Sequence, residues 1–242
     1  MSDFLLMLPT LNEEEALGAL GPEIPKWMDV LVVDGGSTDR TRQIAEGFDY
    51  GFLPQKFGKG KGCGVRSAME YFLGRDYQYL GMIDTDYTNL PSELERMLAF
   101  MKTDGFDLVL GARDRKVQRE LLGRFSLFIN SSTSGLTSFA YRMKLPDIQT
   151  SYWLFSRKAV ETLYPFLVAT GFEIEYDMVF NSWKEGLSIG TVPVTIRRRL
   201  GETKFTNYLR VKQVYHGLRY VYKSLYIMLT RKRSNGRSPG RQ

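Results

Sequence analysis

Short apolar runs alternate with amphipathic stretches along the first two thirds of the 242-residue chain. Wholly apolar runs are typical of strands buried on both faces, and a 3.6-residue period predicts helices between them. This alternation favours an α/β fold with a mostly parallel sheet covered by helices on both faces. Strands are expected at 4–8, 30–33, 50–53, 79–83, 107–110, 151–155 and 188–195, and helices at 13–20, 38–46, 62–73, 91–101 and 172–183. The segment 115–142 is expected to be helical or irregular.

Residue counts exclude several kinds of chemistry. Cys63 is the single cysteine, which rules out an internal disulfide and a cysteine-rich metal site. His216 is the single histidine, which rules out multi-histidine zinc sites and two-histidine iron sites. Any catalysis must therefore use carboxylates, Lys and Arg, backbone groups or an oxygen-ligated metal.

The charge is distributed unevenly along the chain. Residues 1–196 hold 20 Lys and Arg against 26 Asp and Glu, whereas residues 197–242 hold 13 against one. A basic end predicts contact with nucleic acid, an anionic membrane surface or phosphorylated substrates, and a solubilising tail is the alternative. The spacing of apolar residues predicts a basic amphipathic helix at 207–233, and the composition predicts disorder at 234–242. No segment has the pattern of a signal peptide or of a membrane-spanning helix.

Polar clusters follow three of the expected strands, at 9–13, 34–39 and 84–86. Ligands of an open α/β sheet bind beyond the carboxyl ends of its strands, so three converging clusters indicate a site. Asp84 and Asp86 repel each other unless a cation lies nearby, and Mg²⁺ or Mn²⁺ prefers such oxygen ligands. The alternative for this pair is a solvated turn before the helix at 91–101.

A glycine-rich stretch at 58–64 invites comparison with phosphate-binding loops. No Lys-Ser or Lys-Thr closes it, and it lacks the spacing of a dinucleotide fingerprint. The glycines are therefore interpreted as sites of close backbone packing.

Five motifs in this order resemble those of family 2 glycosyltransferases with the GT-A fold. Within that family they most resemble the dolichyl-phosphate mannose synthase group and related polyprenyl-phosphate hexosyltransferases. The motifs are Pro-x-Leu-Asn-Glu-Glu at 9–14, Val-Val-Asp-Gly-Gly-Ser-Thr-Asp at 32–39, Asp-Thr-Asp at 84–86, Gly-Ala-Arg at 111–113 and Arg-Arg-Leu-Gly-Glu-Thr-Lys-Phe at 198–205. The resemblance implies a Rossmann-like GT-A domain at 1–206, followed by the basic helix and the tail.

The resemblance also implies roles for individual residues. Residues expected to contact the nucleotide sugar are Pro9, Leu11, Glu13, Val32, Asp34, Asp84, Thr85, Asp86, Arg113, Arg198 and Lys204. Arg113, Arg124 and Arg198 are expected to bind the acceptor phosphate, and Asp86 with Thr88 to hold Mg²⁺ or Mn²⁺. Of these, Asp86, Arg113 and Arg198 are the expected catalytic residues. The chain departs from the group at Leu11, Gly35 and Thr88, where the group has Tyr, Asp and often Gln.

The expected activity is inverting transfer of a hexose from a nucleoside-diphosphate sugar to dolichyl or another polyprenyl phosphate. Mannose from GDP-mannose is the first expectation, and glucose or N-acetylglucosamine from a UDP donor is the second. A phosphate acceptor is largely ionised at neutral pH and needs no catalytic base. The enzyme is expected in the cytoplasm, peripheral on a membrane, with a possible membrane-anchoring subunit and without nucleic acid.

Two hypotheses compete with this one. A nucleic-acid-binding module would use the basic, Tyr-rich end, but it leaves the three acidic clusters unexplained. A catalytically inactive subunit of a transferase complex would not require Asp84 and Asp86.

Overall fold

The computed structural model describes residues 2–201, 215, 218–220, 222, 223, 225 and 226, with backbone alone at 122, 123, 125 and 126. Seven strands form one sheet: β1 (Phe4–Thr10), β2 (Asp29–Asp34), β3 (Gly51–Pro54), β4 (Tyr79–Met82), β5 (Leu108–Arg113), β6 (Trp153–Ser156) and β7 (Ile189–Val194). Seven α-helices connect them: α1 (Glu14–Leu20), α2 (Thr41–Gly47), α3 (Lys61–Leu73), α4 (Glu93–Asp104), α5 (Arg115–Tyr141), α6 (Arg157–Leu163) and α7 (Ile174–Lys184). Short 3₁₀ turns lie at Gly21–Glu23 and Tyr164–Phe166.

The sheet has the strand order β3-β2-β1-β4-β6-β5-β7. Only β6 runs antiparallel to its neighbours β4 and β5, and the other pairs are parallel. The mostly parallel sheet expected from the sequence is therefore confirmed. Because the chain moves outward from β1 to β3 and then returns to β4 on the other side of β1, the order reverses there. Such a reversal opens a crevice at the carboxyl ends of β1 and β4, where ligands of open α/β sheets bind.

Apolar side chains cover both faces of the sheet. Along β1, Leu5 and Met7 join the core that packs on α3, α6 and α7, whereas Leu6 and Leu8 join the core on the α1 and α4 side. All four are at most 1% exposed. Burying such a side chain stabilises the fold by about 1.5–3 kcal/mol, so both helical layers are held by the same strand.

The segment from 115 to 141 forms one 27-residue helix, α5. The carboxylate of Asp114 caps it by accepting the backbone N–H groups of Lys116 and Val117. Within the helix the Thr133 hydroxyl donates to the Ile129 carbonyl, whereas the Ser138 hydroxyl donates to the Leu145 carbonyl beyond the helix end. Helix α6, which the periodicity did not predict, is capped by the Ser156 hydroxyl.

The glycine-rich stretch before α3 packs directly on the loop that precedes α7. An added Cβ would lie 2.5 Å from the Thr170 carbonyl oxygen at Gly60 and 2.2 Å from the Ala169 carbonyl oxygen at Gly62. The Gly62 N–H donates to the Thr170 oxygen at 2.9 Å. The glycines therefore allow the close backbone packing expected from the sequence, and this packing fixes the start of α3.

The described residues beyond 201 are helical, and the rest of the basic helix expected at 207–233 lies outside the described residues, as does the tail at 234–242. Tyr220 is 6% exposed and donates its hydroxyl to Asp177 Oδ1 on α7 at 3.0 Å. Four other apolar or aromatic side chains described beyond 201 are exposed: Tyr215, Leu218, Tyr222 and Tyr226. Among the residues that the structure describes, no helix is long and apolar enough to cross a membrane.

Replacing Gly62 with alanine should destabilise the fold. The new methyl group would overlap the Ala169 carbonyl, so Gly62→Ala should lower the free energy of unfolding by about 2 kcal/mol or more. Urea unfolding followed by circular dichroism measures this change. The matched control is Gly18→Ala, a helical site with open space, which should raise the free energy by about 0.5–1 kcal/mol. Equal effects of the two substitutions would contradict the packing argument.

Candidate functional site

The three polar clusters meet at the carboxyl ends of β1, β2 and β4. The hydroxyls of Thr10 and Thr85 lie 2.7 Å apart, and Thr85 also donates to the Pro9 carbonyl. The Gly35 N–H donates to the Thr10 carbonyl at 2.8 Å. Side chains that lie 75 residues apart in sequence are thus joined by hydrogen bonds in one crevice.

The loops after β1 and β2 are linked to each other. The Ser37 hydroxyl accepts the Asn12 N–H at 2.7 Å, and Asn12 Oδ1 accepts the Thr38 N–H at 2.7 Å. Asp34 accepts the N–H groups of Gly36 and Ser37. These bonds hold Asp34 at the edge of the crevice, and α2 begins beyond them at Thr41.

The residues expected to bind a nucleotide differ in accessibility. Leu11 is 41% exposed beside this edge, and Pro9 is half-buried. Val32 is fully buried in the core, so only its backbone is available for a ligand. Of Pro9, Leu11 and Val32, Leu11 has the most exposed side chain.

Asp86 is contacted by a hydroxyl and by a guanidinium. The Thr88 hydroxyl donates to Asp86 Oδ1 at 2.6 Å, and Arg199 Nη1 lies 3.4 Å from Asp86 Oδ2. The other Arg199 nitrogen, Nη2, donates to Glu13 Oε1 at 2.6 Å. Burial and the neighbouring charge of Asp84 raise the pKa of Asp86. A cation beside Asp86 would stabilise its charged form.

An extended segment after β7 carries Arg199 into the crevice. The Arg197 N–H donates to the Thr88 carbonyl at 2.8 Å, and the Leu200 N–H donates to the Asp86 carbonyl at 3.2 Å. The neighbouring Arg198, expected to bind phosphate, is exposed. Lys204, its expected partner, lies outside the described residues. Arg199 lies within the motif at 198–205 but was not among the residues expected to bind, and the structure adds it to the site.

Asp84 is held by a buried lysine that the motifs also did not indicate. Lys61 Nζ lies 2.7 Å from Asp84 Oδ1 and 2.8 Å from Glu175 Oε1. Burial alone would lower the pKa of Lys61, but Asp84 and Glu175 raise it well above its ordinary value. Burial raises the pKa of Glu175, although Lys61 opposes that change.

Arg113 forms a two-pronged ion pair with Asp147. Its Nε and Nη2 donate to the two Asp147 oxygens at 2.6 and 2.9 Å, and Nη2 also donates to the Gln149 carbonyl. Burial disfavours the charged guanidinium, but Asp147 raises the pKa of Arg113 overall. Arg124, expected to help bind the acceptor, is exposed on α5 and stays a prediction.

The donor atoms around Asp86 fit a hard divalent cation. Asp84 and Asp86 supply carboxylate oxygens and Thr88 a hydroxyl, and the Arg199 guanidinium already lies against one of these carboxylates. Over the part of the chain that the structure describes, no three His, Cys, Asp or Glu side chains gather as a metal cluster. Carboxylate and hydroxyl oxygens are nevertheless the donors that Mg²⁺ and Mn²⁺ prefer, and these ions commonly complete their shell with substrate phosphates and water.

Three curated relatives share substantial parts of this sequence. Glycosyltransferase AglJ of Haloferax volcanii is 31% identical over 78% of this chain, and the match spans 61% of AglJ. An undecaprenyl-phosphate mannosyltransferase of Micrococcus luteus is 28% identical over 84% of this chain and 86% of its own length. A dolichyl-phosphate hexose transferase of Haloferax volcanii is 29% identical over 84% of this chain and 86% of its own length.

A solved structure shares the fold. Glucosyl-3-phosphoglycerate synthase of Mycobacterium tuberculosis, in complex with Mn²⁺, UDP-glucose and glycerol 3-phosphate, superposes with a TM-score of 0.68. The match covers 96% of this chain and 81% of that one at 18% identity. The expected GT-A fold is thereby confirmed. The sequence profile described as "Glycosyl transferase family 2" matches residues 6–164, more than half of the chain. With its fold, its motifs and this match, the chain belongs to glycosyl transferase family 2.

Proposed function

We propose that this chain transfers a hexosyl group, with inversion, from a nucleoside-diphosphate sugar to dolichyl or another polyprenyl phosphate at a membrane surface. The observation that carries the proposal is the pairing of carboxylates with cations in the crevice. Glu13 and Asp86 lie against Arg199, and Asp84 and Glu175 lie against Lys61. An acceptor that arrives already ionised suits such a site, because it needs no carboxylate to remove its proton.

The reaction expected of these residues is a single displacement. An acceptor phosphate oxygen forms a bond to the anomeric carbon of the sugar while the bond from that carbon to the diphosphate breaks. A divalent cation held by Asp84, Asp86 and Thr88 would neutralise charge on the departing diphosphate. Arg198 and Lys204 are proposed to bind phosphate oxygens. Arg199, whose guanidinium fork suits such oxygens, is well placed to join them.

The donor is proposed to be GDP-mannose. The Micrococcus luteus relative is named as a mannosyltransferase that uses undecaprenyl phosphate, and it aligns with most of this chain. UDP-glucose or UDP-N-acetylglucosamine is the second choice, because Leu11 and Gly35 depart from the mannose synthase motifs at the nucleotide edge.

The acceptor class is supported by two relatives and by the end of the chain. Both relatives are named for polyprenyl or dolichyl phosphate. Residues 197–242 carry 13 Lys and Arg, and aromatic side chains of the described helix are exposed. Basic residues near an anionic bilayer contribute about 1 kcal/mol each to binding. A peripheral position on the cytoplasmic face, with a membrane-anchoring subunit, completes the proposal.

A donor screen with purified protein tests the transfer. We expect Mn²⁺- or Mg²⁺-dependent transfer from GDP-mannose to a short polyprenyl phosphate, with UDP-glucose and UDP-N-acetylglucosamine as competitors. Because Asp86 carries the cation-binding oxygens, Asp86→Asn should lower kcat by about 100-fold. The matched control is Asp76→Asn, an exposed carboxylate outside the crevice, which should leave kcat unchanged. Equal activity of the Asp86→Asn variant and the parent would contradict the proposed role of Asp86. If the parent binds no nucleotide, the nucleic-acid hypothesis is favoured instead.

Acceptor competition tests the requirement for an ionised phosphate. Polyprenyl phosphate should accept the sugar, whereas the corresponding polyprenol should be at least about 100-fold slower because it lacks the ionised nucleophile. Radiolabelled sugar extracted into an organic phase measures both rates. 3-Phosphoglycerate serves as the soluble phosphorylated alternative, and preferential transfer to it would replace the lipid acceptor with a water-soluble one.

A further inference from the structure

Lys61 is a buried ammonium between two carboxylates. Its side chain is 7% exposed, that of Glu175 is 6% exposed and that of Asp84 is 27% exposed. The Phe172 ring lies 5.9 Å from the ammonium. Lysine is almost never buried to this degree unless it is paired, so the two contacts account for its place.

The backbone around Lys61 is fixed more firmly than the backbone around Asp84. Gly60 and Gly62 flank the lysine and abut the carbonyls of Thr170 and Ala169, which leaves no room for a side chain. Glu175 lies in the first turn of α7, immediately beyond that loop. Asp84 follows the end of β4 in a loop and is the most exposed of the three. The buried Lys61–Glu175 pair is therefore the support, and Asp84 is the group supported.

Stability alone does not account for this arrangement. Buried ion pairs are often no more stabilising than apolar side chains of similar volume, because desolvation offsets their attraction. The pair nevertheless lies where Asp84 and Asp86 face the crevice. A role in orienting the site explains its position better than a role in the core.

We propose that Lys61, anchored by Glu175, is a positioning residue that fixes the orientation of Asp84 toward the cation and the diphosphate of the donor. This inference rests on the proposed function, in which Asp84 and Asp86 bind the cation and the donor diphosphate. Lys61 itself contacts carboxylate oxygens and acts through Asp84. Partners that orient a metal-binding carboxylate typically contribute about 10–100-fold to metal affinity or activity.

The test removes the ammonium without changing the charge of the cluster. Lys61→Met/Glu175→Gln deletes one positive and one negative charge, so no buried carboxylate is left with an unbalanced charge at position 175. The matched control, Lys158→Met/Asp107→Asn, removes a lysine–carboxylate pair with a 3.0 Å contact at the other end of the sheet. Thermal unfolding of each full-length variant verifies that it folds.

Mn²⁺ binding is the readout that a purely structural role would not change. The free Mn²⁺ signal in electron paramagnetic resonance is followed at fixed pH, with GDP and separately with UDP. The double variant at 61 and 175 should bind Mn²⁺ about 10-fold or more weakly, and the control pair should match the parent. With the preferred donor, kcat should fall by a similar factor while KM for polyprenyl phosphate changes less than about twofold.

The outcomes separate this inference from the proposed function. If the parent binds Mn²⁺ and the folded double variant binds it equally well, the positioning role is wrong and the proposed function stands. If the parent binds no Mn²⁺ with either nucleotide, both fail. Should the double variant not fold, Glu175→Leu alone decides. It removes the acceptor that anchors Lys61, while Asp84 still balances the ammonium, so a loss of about threefold supports the role and an unchanged affinity overturns it.

Discussion

Mutual repulsion among carboxylates is the constraint around which this crevice is built. Among the residues that the structure describes, five carboxylates gather near the carboxyl ends of the central strands, and three cations lie between them. The carboxylates are Glu13, Asp84, Asp86, Asp147 and Glu175, and the cations are Lys61, Arg113 and Arg199. Each cation comes from a different element: the start of α3, the end of β5 and the segment after β7. The three elements must therefore dock correctly before the crevice can hold its charges, which ties the site to the completed fold.

The sequence predicted the parts of the fold and site that depend on periodicity and strand ends. Every strand of the sheet was expected near its observed position, because buried parallel strands are short apolar runs. The clusters at 9–13, 34–39 and 84–86 were expected to converge, because the carboxyl ends of parallel strands share one edge. Contacts within those clusters follow directly from this geometry, as the Thr10–Thr85 hydrogen bond shows.

What the sequence did not predict depends on contacts between distant segments. Arg198 and Arg199 are adjacent, and the bridge between Asn89 and Ile196 sets the register that brings Arg199 and not Arg198 to Asp86. Lys61 was not among the expected site residues, because its glycine neighbours indicated close backbone packing. The structure shows both that packing and the contact of Lys61 with Asp84. Glu175 lies in a helix whose apolar pattern does not reveal which polar residue faces the crevice. The direction of β6 was likewise not readable from its own sequence.

The antiparallel direction of β6 follows from where the chain re-enters the sheet. After the 27-residue helix α5, the segment before β6 returns to the end of β5, so β6 starts beside the carboxyl ends of β4 and β5 and runs against them. On the way back, the chain brings Asp147 and Gln149 against Arg113 at the end of β5. The segment between α5 and β6 thus supplies Asp147, the carboxylate that holds Arg113 of the Gly-Ala-Arg motif.

The first turn of α7 connects Tyr220 with the crevice. Asp177 accepts the Tyr220 hydroxyl at one oxygen and the N–H groups of Val168 and Ala169 at the other. The loop that begins with those residues presses on Gly62, and Glu175 in the same turn contacts Lys61. The first turn of α7 therefore contacts Tyr220, the loop that packs on Gly62, and the buried Lys61. Because they share this support, the packing of Tyr220 is continuous with that of the elements that position Asp84.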